Sequence, residues 1–146
     1  MSKGLRQGDP LSPFLFIIAA DALTNLVNDA IQSGCFKSSM VSNDQQHHVL
    51  QYADDTILLG EGSWENLWSL KSFLRGFELV SGLKVDFYNS KLYGINLEDQ
   101  FLNAASAFLS CSIDEFPFCF LGLPVGANPR RCDTWKPVVD AMKKKL

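Results

Sequence analysis

The spacing of apolar residues divides the chain into segments of helical and strand period. Apolar side chains at 16, 19, 20, 23, 26, 27 and 30 repeat with helical spacing, which predicts a helix from Pro13 to Ser33 with one buried face. Ser12 suits its N-cap, Pro13 its first position and Gly34 the residue past its end. A second helix is predicted from Trp64 to Ser81, with 64, 67, 70, 74, 77 and 80 on its apolar face and Gly82 closing it. "LEDQFLNAASAFLS" predicts a third helix, and a fourth begins near Trp135 and runs into Lys143-Lys144-Lys145. "HVLQYA" and "TILLG" flank Asp54-Asp55 as the arms of a tight hairpin. "LKVDFY" is a predicted strand, and "FPFCFLGLPVG" a strand pair with Gly122-Leu123-Pro124 near its turn. A polar link over 37–47 joins the first helix to the first hairpin, and no internal repeat interrupts the order.

Helices that alternate with hairpins predict an α+β fold: a mainly antiparallel sheet with helices packed on one face. The other face of such a sheet stays open for a large ligand.

Length and composition keep that picture, since 146 residues with 47% hydrophobic content suit one globular domain. The net charge of −3 announces no nucleic-acid binder, but it is unevenly placed. Residues 130–146 carry six Lys/Arg and two Asp/Glu (+4), and residues 1–129 carry seven and fourteen (−7). A basic end on an acidic body is a solvated helix face or a strip facing phosphates. Cys35, Cys111, Cys119 and Cys132 form no Cys-x-x-Cys pair and no metal spacing with His47 or His48, which suits reduced thiols in an intracellular protein. The longest apolar run, Pro13 to Ala20, stops at Asp21, well short of the roughly 20 residues that cross a bilayer. A soluble, intracellular protein without membrane partners is expected, with no secretory leader.

Asp54-Asp55 is the chemical feature within this frame. Two neighbouring carboxylates repel, and burying either without a partner costs several kcal/mol. A solvated Asp-Asp turn avoids the cost, and a divalent metal removes it, since hard oxygen donors suit Mg²⁺. Successive strand residues point to opposite faces, so only a tight turn could aim both at one ion. Asp54 is then expected as the main ligand, with Asp55 lateral.

Four blocks occur in order: "GLRQGDPLSP" (4–13), "YADD" (52–55), "SGLKVDFYNSKLYG" (81–94) and "FLGLPVG" (120–126). Together they resemble the reverse transcriptases of non-LTR (LINE-type) retrotransposons, most like the plant copies, over nearly the whole chain. Group II intron maturases share "YADD" and the helix start, but "FLGLPVG" and "WKPVVDAMKKKL" fit the LINE-type elements better. The resemblance implies a right-hand polymerase. Residues 1–126 would form a palm without its fingers and first catalytic block, and 127–146 the start of a helical thumb.

By position, Asp54 and Asp55 resemble the paired carboxylates that hold catalytic Mg²⁺ (or Mn²⁺) in that family. Tyr52 matches its aromatic beside the primer end, or is plain core with its hydroxyl on a backbone acceptor. Arg6, Gln7, Gly8 and Pro10 match the block against template and incoming nucleotide. Locally, Gly8 allows close approach, Gln7 offers donor and acceptor, and the helix start favours phosphate. Lys91 sits at the lysine of a triphosphate-side block, where it could offset leaving-group charge or donate a proton. Asp86 replaces the usual Asn there and Leu92 follows, so a solvent-facing strand lysine is the other reading. Phe120, Leu121, Gly122 and Leu123 resemble the hairpin that grips the primer, or form a core strand pair with a glycine turn. Trp135 and Lys143–Lys145 resemble the first thumb helix, lying along a duplex backbone.

Implied partners are an RNA template, a DNA primer (their RNA–DNA hybrid) and a dNTP, with a nuclear location if the protein is expressed. The family's first catalytic Asp lies upstream of the "RQGD" block, and "MSK" does not contain it. The expectation is therefore a reverse-transcriptase fragment, inactive alone, or else a non-catalytic nucleic-acid-binding or inert remnant.

Overall fold

The computed structural model describes residues 8–39 and 48–144. Arg6, Gln7, Lys145 and most of the polar link over 37–47 lie outside the described residues. The chain forms two compact units, Met1–Asp86 and Phe87–Leu146.

The first unit holds helix α1 (Ser12–Gln32), strands β1 (Val49–Tyr52) and β2 (Asp55–Leu58), and helix α2 (Trp64–Ser81). The start of α1 differs from expectation. Leu11, not Ser12, is the N-cap; it has helical dihedrals, and its apolar side chain offers no cap hydrogen bond. Asp9 does the capping instead. Its Oδ1 accepts the Leu11 N–H at 2.9 Å and its backbone carbonyl accepts the Ser12 N–H at 3.1 Å. The bounds of α2 match the sequence reading. Ser63 is extended and its hydroxyl accepts the Asn66 N–H, while Gly82 closes the helix with φ 73°.

α1 packs on α2 through Leu23, Val27, Leu67, Leu74 and Phe77, with Phe36 completing the core. The Phe36 ring meets Phe73 edge-on at 5.7 Å. Three expected core positions are not core: Phe16 and Trp64 are at the surface and Val80 is 90% exposed. One buried amide binds the unit together. Asn66 accepts the Lys37 N–H at 2.8 Å and donates to the carbonyls of Lys37 (2.7 Å) and Glu61 (2.9 Å). It joins the chain leaving α1 to the chain leaving β2, and leaves little polar capacity unsatisfied.

The expected absence of a bilayer-length segment needs correcting. α1 is 21 residues long with a mean hydropathy of 1.5 over its most apolar window, enough by length and composition to cross a membrane. The contiguous apolar run stops at Asp21, but the helix predicted through that acid to Ser33 adds enough apolar residues beyond it to lengthen the window. α1 also carries Asn25, Asn28 and Asp29 and buries Leu23 and Val27 on the unit's core, while 11% of its most apolar window is buried.

The second unit contains β3 (Lys91–Leu92), α3 (Asp99–Leu109), β4 (Ser112–Ile113), β5 (Phe118–Phe120), β6 (Leu123–Val125) and α4 (Cys132–Lys143). α3 buries Ala105 and Leu109. Tyr93 stacks on Phe118 at 4.2 Å and leans on Phe116 at 5.4 Å, which forms an aromatic cluster behind the second hairpin. α4 starts three residues before Trp135 and none of its residues is buried. Its start is fixed by Thr134 Oγ1 and Trp135 Nε1, which donate to the carbonyls of Asn128 and Pro129.

The α+β class holds, but the strands do not join into one sheet among the described residues. They form three two-stranded ladders: β1–β2 and β5–β6 antiparallel, and β3–β4 parallel. The predicted strand "LKVDFY" makes no ladder. Instead the Val85 N–H is taken by Glu78 Oε1 at 2.8 Å, which ties this segment to α2. That bond, helped by Arg75 Nη1 at 2.6 Å, holds the Glu78 carboxyl below its ordinary range.

A carboxylate hairpin and the residues around it

The β1–β2 hairpin pairs Val49 with Leu58, Leu50 with Ile57, Gln51 with Thr56 and Tyr52 with Asp55. Its loop is therefore Ala53-Asp54, one residue earlier than the acid pair suggested. Ala53 takes the positive φ (50°) that primed hairpin turns need at their first central residue. The two acids consequently have different supports. Asp54 sits in the turn, whereas Asp55 belongs to β2, and pairing with Tyr52 puts both side chains on one face.

Alternation decides which face that is. Val49 and Gln51 are half-buried, while Leu50 and Tyr52 are exposed. Gln51 faces α1, where its Oε1 accepts a 2.9 Å hydrogen bond from Thr24 Oγ1. Tyr52, 62% exposed, and Asp55 thus face away from the helix. At the hairpin's base His48 Nε2 donates to Asn28 Oδ1, and the Leu59 N–H donates to the His48 carbonyl. Tyr52 is not core, which removes the second reading of its role. Asp54 and Asp55 are both exposed, so the burial cost that framed the sequence reading does not arise.

Gly8 and Pro10 precede α1 and are exposed, and Gly8 has φ 88°, a backbone state that side-chain-bearing residues rarely adopt. Between α1 and the hairpin lies an open groove of about 350 Å³ lined by Phe16, Ile17, Asp21, Thr24, Gln51 and Ala53. Asp21, Thr24 and Gln51 were missed from the sequence. Thr24 and Gln51 had a signal, as polar residues at half-buried positions of periodic apolar patterns, whereas Asp21 is exposed.

In the second unit, Lys91 is the first residue of β3, exposed, opposite Ser112 of the parallel ladder. It borders a depression of about 460 Å³ with Tyr88, Asn89, Ser110, Cys111 and Ser112. Burial pushes the Cys111 thiol up, so it stays protonated at neutral pH. Phe120 and Leu123 pair across the β5–β6 hairpin, and its loop, Leu121-Gly122, has positive φ at both residues (53° and 80°). Both φ signs match a type I′ turn. Leu121 and Leu123 are about half exposed and Phe120 is half-buried, so this strand pair offers apolar surface rather than closing a core.

Divalent-metal fit rests on the donors present. Two exposed carboxylates, on adjacent residues of one hairpin, suit Mg²⁺, which commonly takes one or two carboxylates and keeps waters or phosphate oxygens. Among the described residues no group of three or more His, Cys, Asp or Glu side chains could hold an ion.

The profile of the family "Reverse transcriptase (RNA-dependent DNA polymerase)" matches residues 1–126, most of the chain. The chain belongs to the reverse transcriptase family. An uncharacterized mitochondrial protein of Arabidopsis thaliana is 37% identical over 98 residues, covering 63% of this chain and 75% of that protein. Reverse transcriptases as a family use divalent metals, a template–primer and dNTPs. The match spans the first hairpin, Lys91 and the second hairpin, and ends at Gly126, before α4.

Proposed function

We propose that the chain is a reverse-transcriptase fragment of a non-LTR (LINE-type), plant-like element, and that Asp54 and Asp55 form its metal-binding edge. The observation that carries this reading is the pair's position. It lies at the exposed tip of a hairpin whose base is pinned to α1, with Tyr52 beside Asp55, in a chain matched to an RNA-dependent DNA polymerase family. Asp54 is the main ligand and Asp55 the lateral one. Mg²⁺ or Mn²⁺ bound there would supply positive charge for phosphoryl oxygens during nucleotidyl transfer.

The chain's own residues do the rest. Tyr52 offers a flat apolar surface to the primer end from the same face as Asp55. Arg6, Gln7, Gly8 and Pro10 correspond, by resemblance to the family, to the block that serves template and incoming nucleotide. By resemblance to the family, Lys91 is the triphosphate-side lysine and Phe120–Leu123 the primer-grip hairpin, both in the second unit. Residues 1–126 act as palm and 127–146 as the start of the thumb, in a protein working inside the cell, in the nucleus. With two carboxylates and no third acid beside them among the described residues, the reading expects no polymerisation by this chain alone.

Mn²⁺ binding followed by electron paramagnetic resonance tests the metal edge. Asp54→Asn should weaken binding at least tenfold and Asp55→Asn less. Equal binding by the parent and the double variant would sink the assignment. Primer extension on an RNA template with Mn²⁺ should give no product, and incorporation lost in Asp54→Asn would overturn the claim of inactivity while supporting the site.

A further inference from the structure

Each unit leaves one apolar helix face uncovered, and the two faces are opposite in charge. On α1, Leu11, Phe14, Leu15 and Ile18 follow i, i+3, i+4, i+7 spacing, on the side away from buried Leu23 and Val27. They are 47–65% exposed. Further along the same side stand Asp21, Asn25 and Asp29, the polar residues that a solvent face calls for. The face therefore changes character at Asp21, and packing within the unit does not account for its apolar first half. Contiguous large apolar side chains left in water mark a contact surface. On α4, Trp135, Val139 and Met142 follow i, i+4, i+7 spacing and are 40%, 44% and 64% exposed. This helix packs on β6, with Thr134 and Val138 half-buried.

We propose that the apolar half of α1 is the docking site for α4 of a second copy of this chain. The lengths agree, since 11–22 and Cys132–Lys143 are each 12 residues, about 18 Å of helix. Charge complementarity selects the partner. Asp9 precedes the apolar half of α1 and Asp21 closes it, with no cation between them. Arg130 and Arg131 precede α4, and Lys143 and Lys144 end it, all four exposed. In antiparallel docking Asp21 meets the arginines, Asp9 meets the lysines, and the helix dipoles oppose. Within the chain the Asp9 carboxylate takes the Leu11 N–H on Oδ1 and that of Asp21 takes the Asn25 amide on Oδ2, which leaves each a second oxygen for a cation. Trp135 Nε1 already donates to the Pro129 carbonyl, so the indole can be covered without stranding its polar atom. Of the acids on α4, Asp133 is paired with Lys136, and Asp140 lies off the apolar stripe. Two other occupants fit less well. An antiparallel α1 of a second copy would set Asp9 against Asp21, and an anionic lipid surface would meet the same two acids. The docking joins unlike surfaces, so it closes as a reciprocal dimer or ring, or continues head to tail.

Sedimentation of the full chain tests the docking, with EDTA present so that no metal bridges two hairpins. The parent should associate below about 100 μM, and less so in about 1 M salt, where exposed charges are screened. Ile18→Lys on α1 and Val139→Gln/Met142→Gln on α4 should each weaken association at least about tenfold. Circular dichroism should stay unchanged, because these side chains lie outside the cores. Mixing the α1 variant with the α4 variant should restore a one-to-one pair, since each supplies the face the other lacks. A parent that stays monomeric, association that survives either variant, or no pair on mixing would overturn the proposal. So would flotation of a monomeric parent with phosphatidylcholine vesicles that Ile18→Lys abolishes, because lipid would then be the occupant.

Discussion

Two hairpins with two-residue loops sit in the two units of this molecule, and they are stabilised in opposite ways. The first, carrying Asp54, is pinned by polar bonds: Thr24 to Gln51, His48 to Asn28, and the Asn66 amide at the chain's exit. The second, carrying Leu121-Gly122, leans on an aromatic cluster of Tyr93, Phe116 and Phe118. Directional bonds place a hairpin tip at one angle and distance, whereas ring stacking tolerates sliding. A carboxylate edge needs the former, and an apolar surface offered to a flexible strand can work with the latter. Both loops put a side chain at positive φ, Ala53 at 50° and Leu121 at 53°. Each such residue stores roughly 1 kcal/mol that glycine would not.

The comparison can be broken most strongly at Phe118. Phe118→Ala should cost the second unit about 3 kcal/mol, because both ring partners lose contact at once. Hydrogen exchange should then speed up across 118–125 while 49–58 keeps its protection, and uniform loss would mean the hairpins are not independently held. Thr24→Val should cost the first hairpin about 1 kcal/mol, as Gln51 loses its donor. Its measurable sign is altered Mn²⁺ affinity at Asp54, and an unchanged tip would show that the polar pin does not set the carboxylates' position. Ala53→Gly should stabilise the first unit by up to about 1 kcal/mol and Leu121→Gly the second by a similar amount, read as shifts in melting temperature. A loss in either case would mean that the side chain does more than fill its turn.

Titration sharpens the same contrast with the smallest effects. Burial, then the neighbouring Asp114 carboxylate, pushes the Tyr93 hydroxyl above its ordinary value. The folded second unit therefore keeps the proton longer than the unfolded chain. Its stability is full below about pH 10, the unfolded phenol's value, and falls as pH rises through the folded one. Tyr93→Phe should flatten that alkaline loss. Glu78 in the first unit runs the other way. Its lowered carboxyl contributes above the unfolded value near 4.3, and the contribution disappears as pH falls through the folded one. Glu78→Gln should remove that acid-side dependence.

Local rules were legible where one residue dictates one geometry. Gly82 closes α2 as its chemistry predicts, and Gly122 marked the second turn. Ser12 misled because Asp9, three residues earlier, supplies the capping oxygen and shifts the helix start. At the first hairpin the acid pair drew the turn onto itself, since alanine carries no turn signal and only the cross-strand register reveals Ala53 as the loop residue. "LKVDFY" had strand composition, but among the described residues it joins no ladder, and Glu78 accepts the Val85 N–H. The β3–β4 ladder is two residues long and parallel, so its existence depends on α3 bringing Ser112 back beside Lys91, which no local pattern encodes. Asn66 could have been found, as the one amide on the arc shared by 70, 73 and 77.

The Tyr52–Asp55 pairing gives the acid motif a constraint of its own. Asp54 can be moved by any change in the turn, but Asp55's side is decided by parity along the ladder. Adding or removing a single residue in the loop would either bulge the turn or send Asp55 to the α1 side, away from Tyr52. The spacing of "YADD" is thus a counting device: two residues between partners keep tyrosine and aspartate facing the same way, and a single added residue would keep every one of the four side chains while changing which of them share a face.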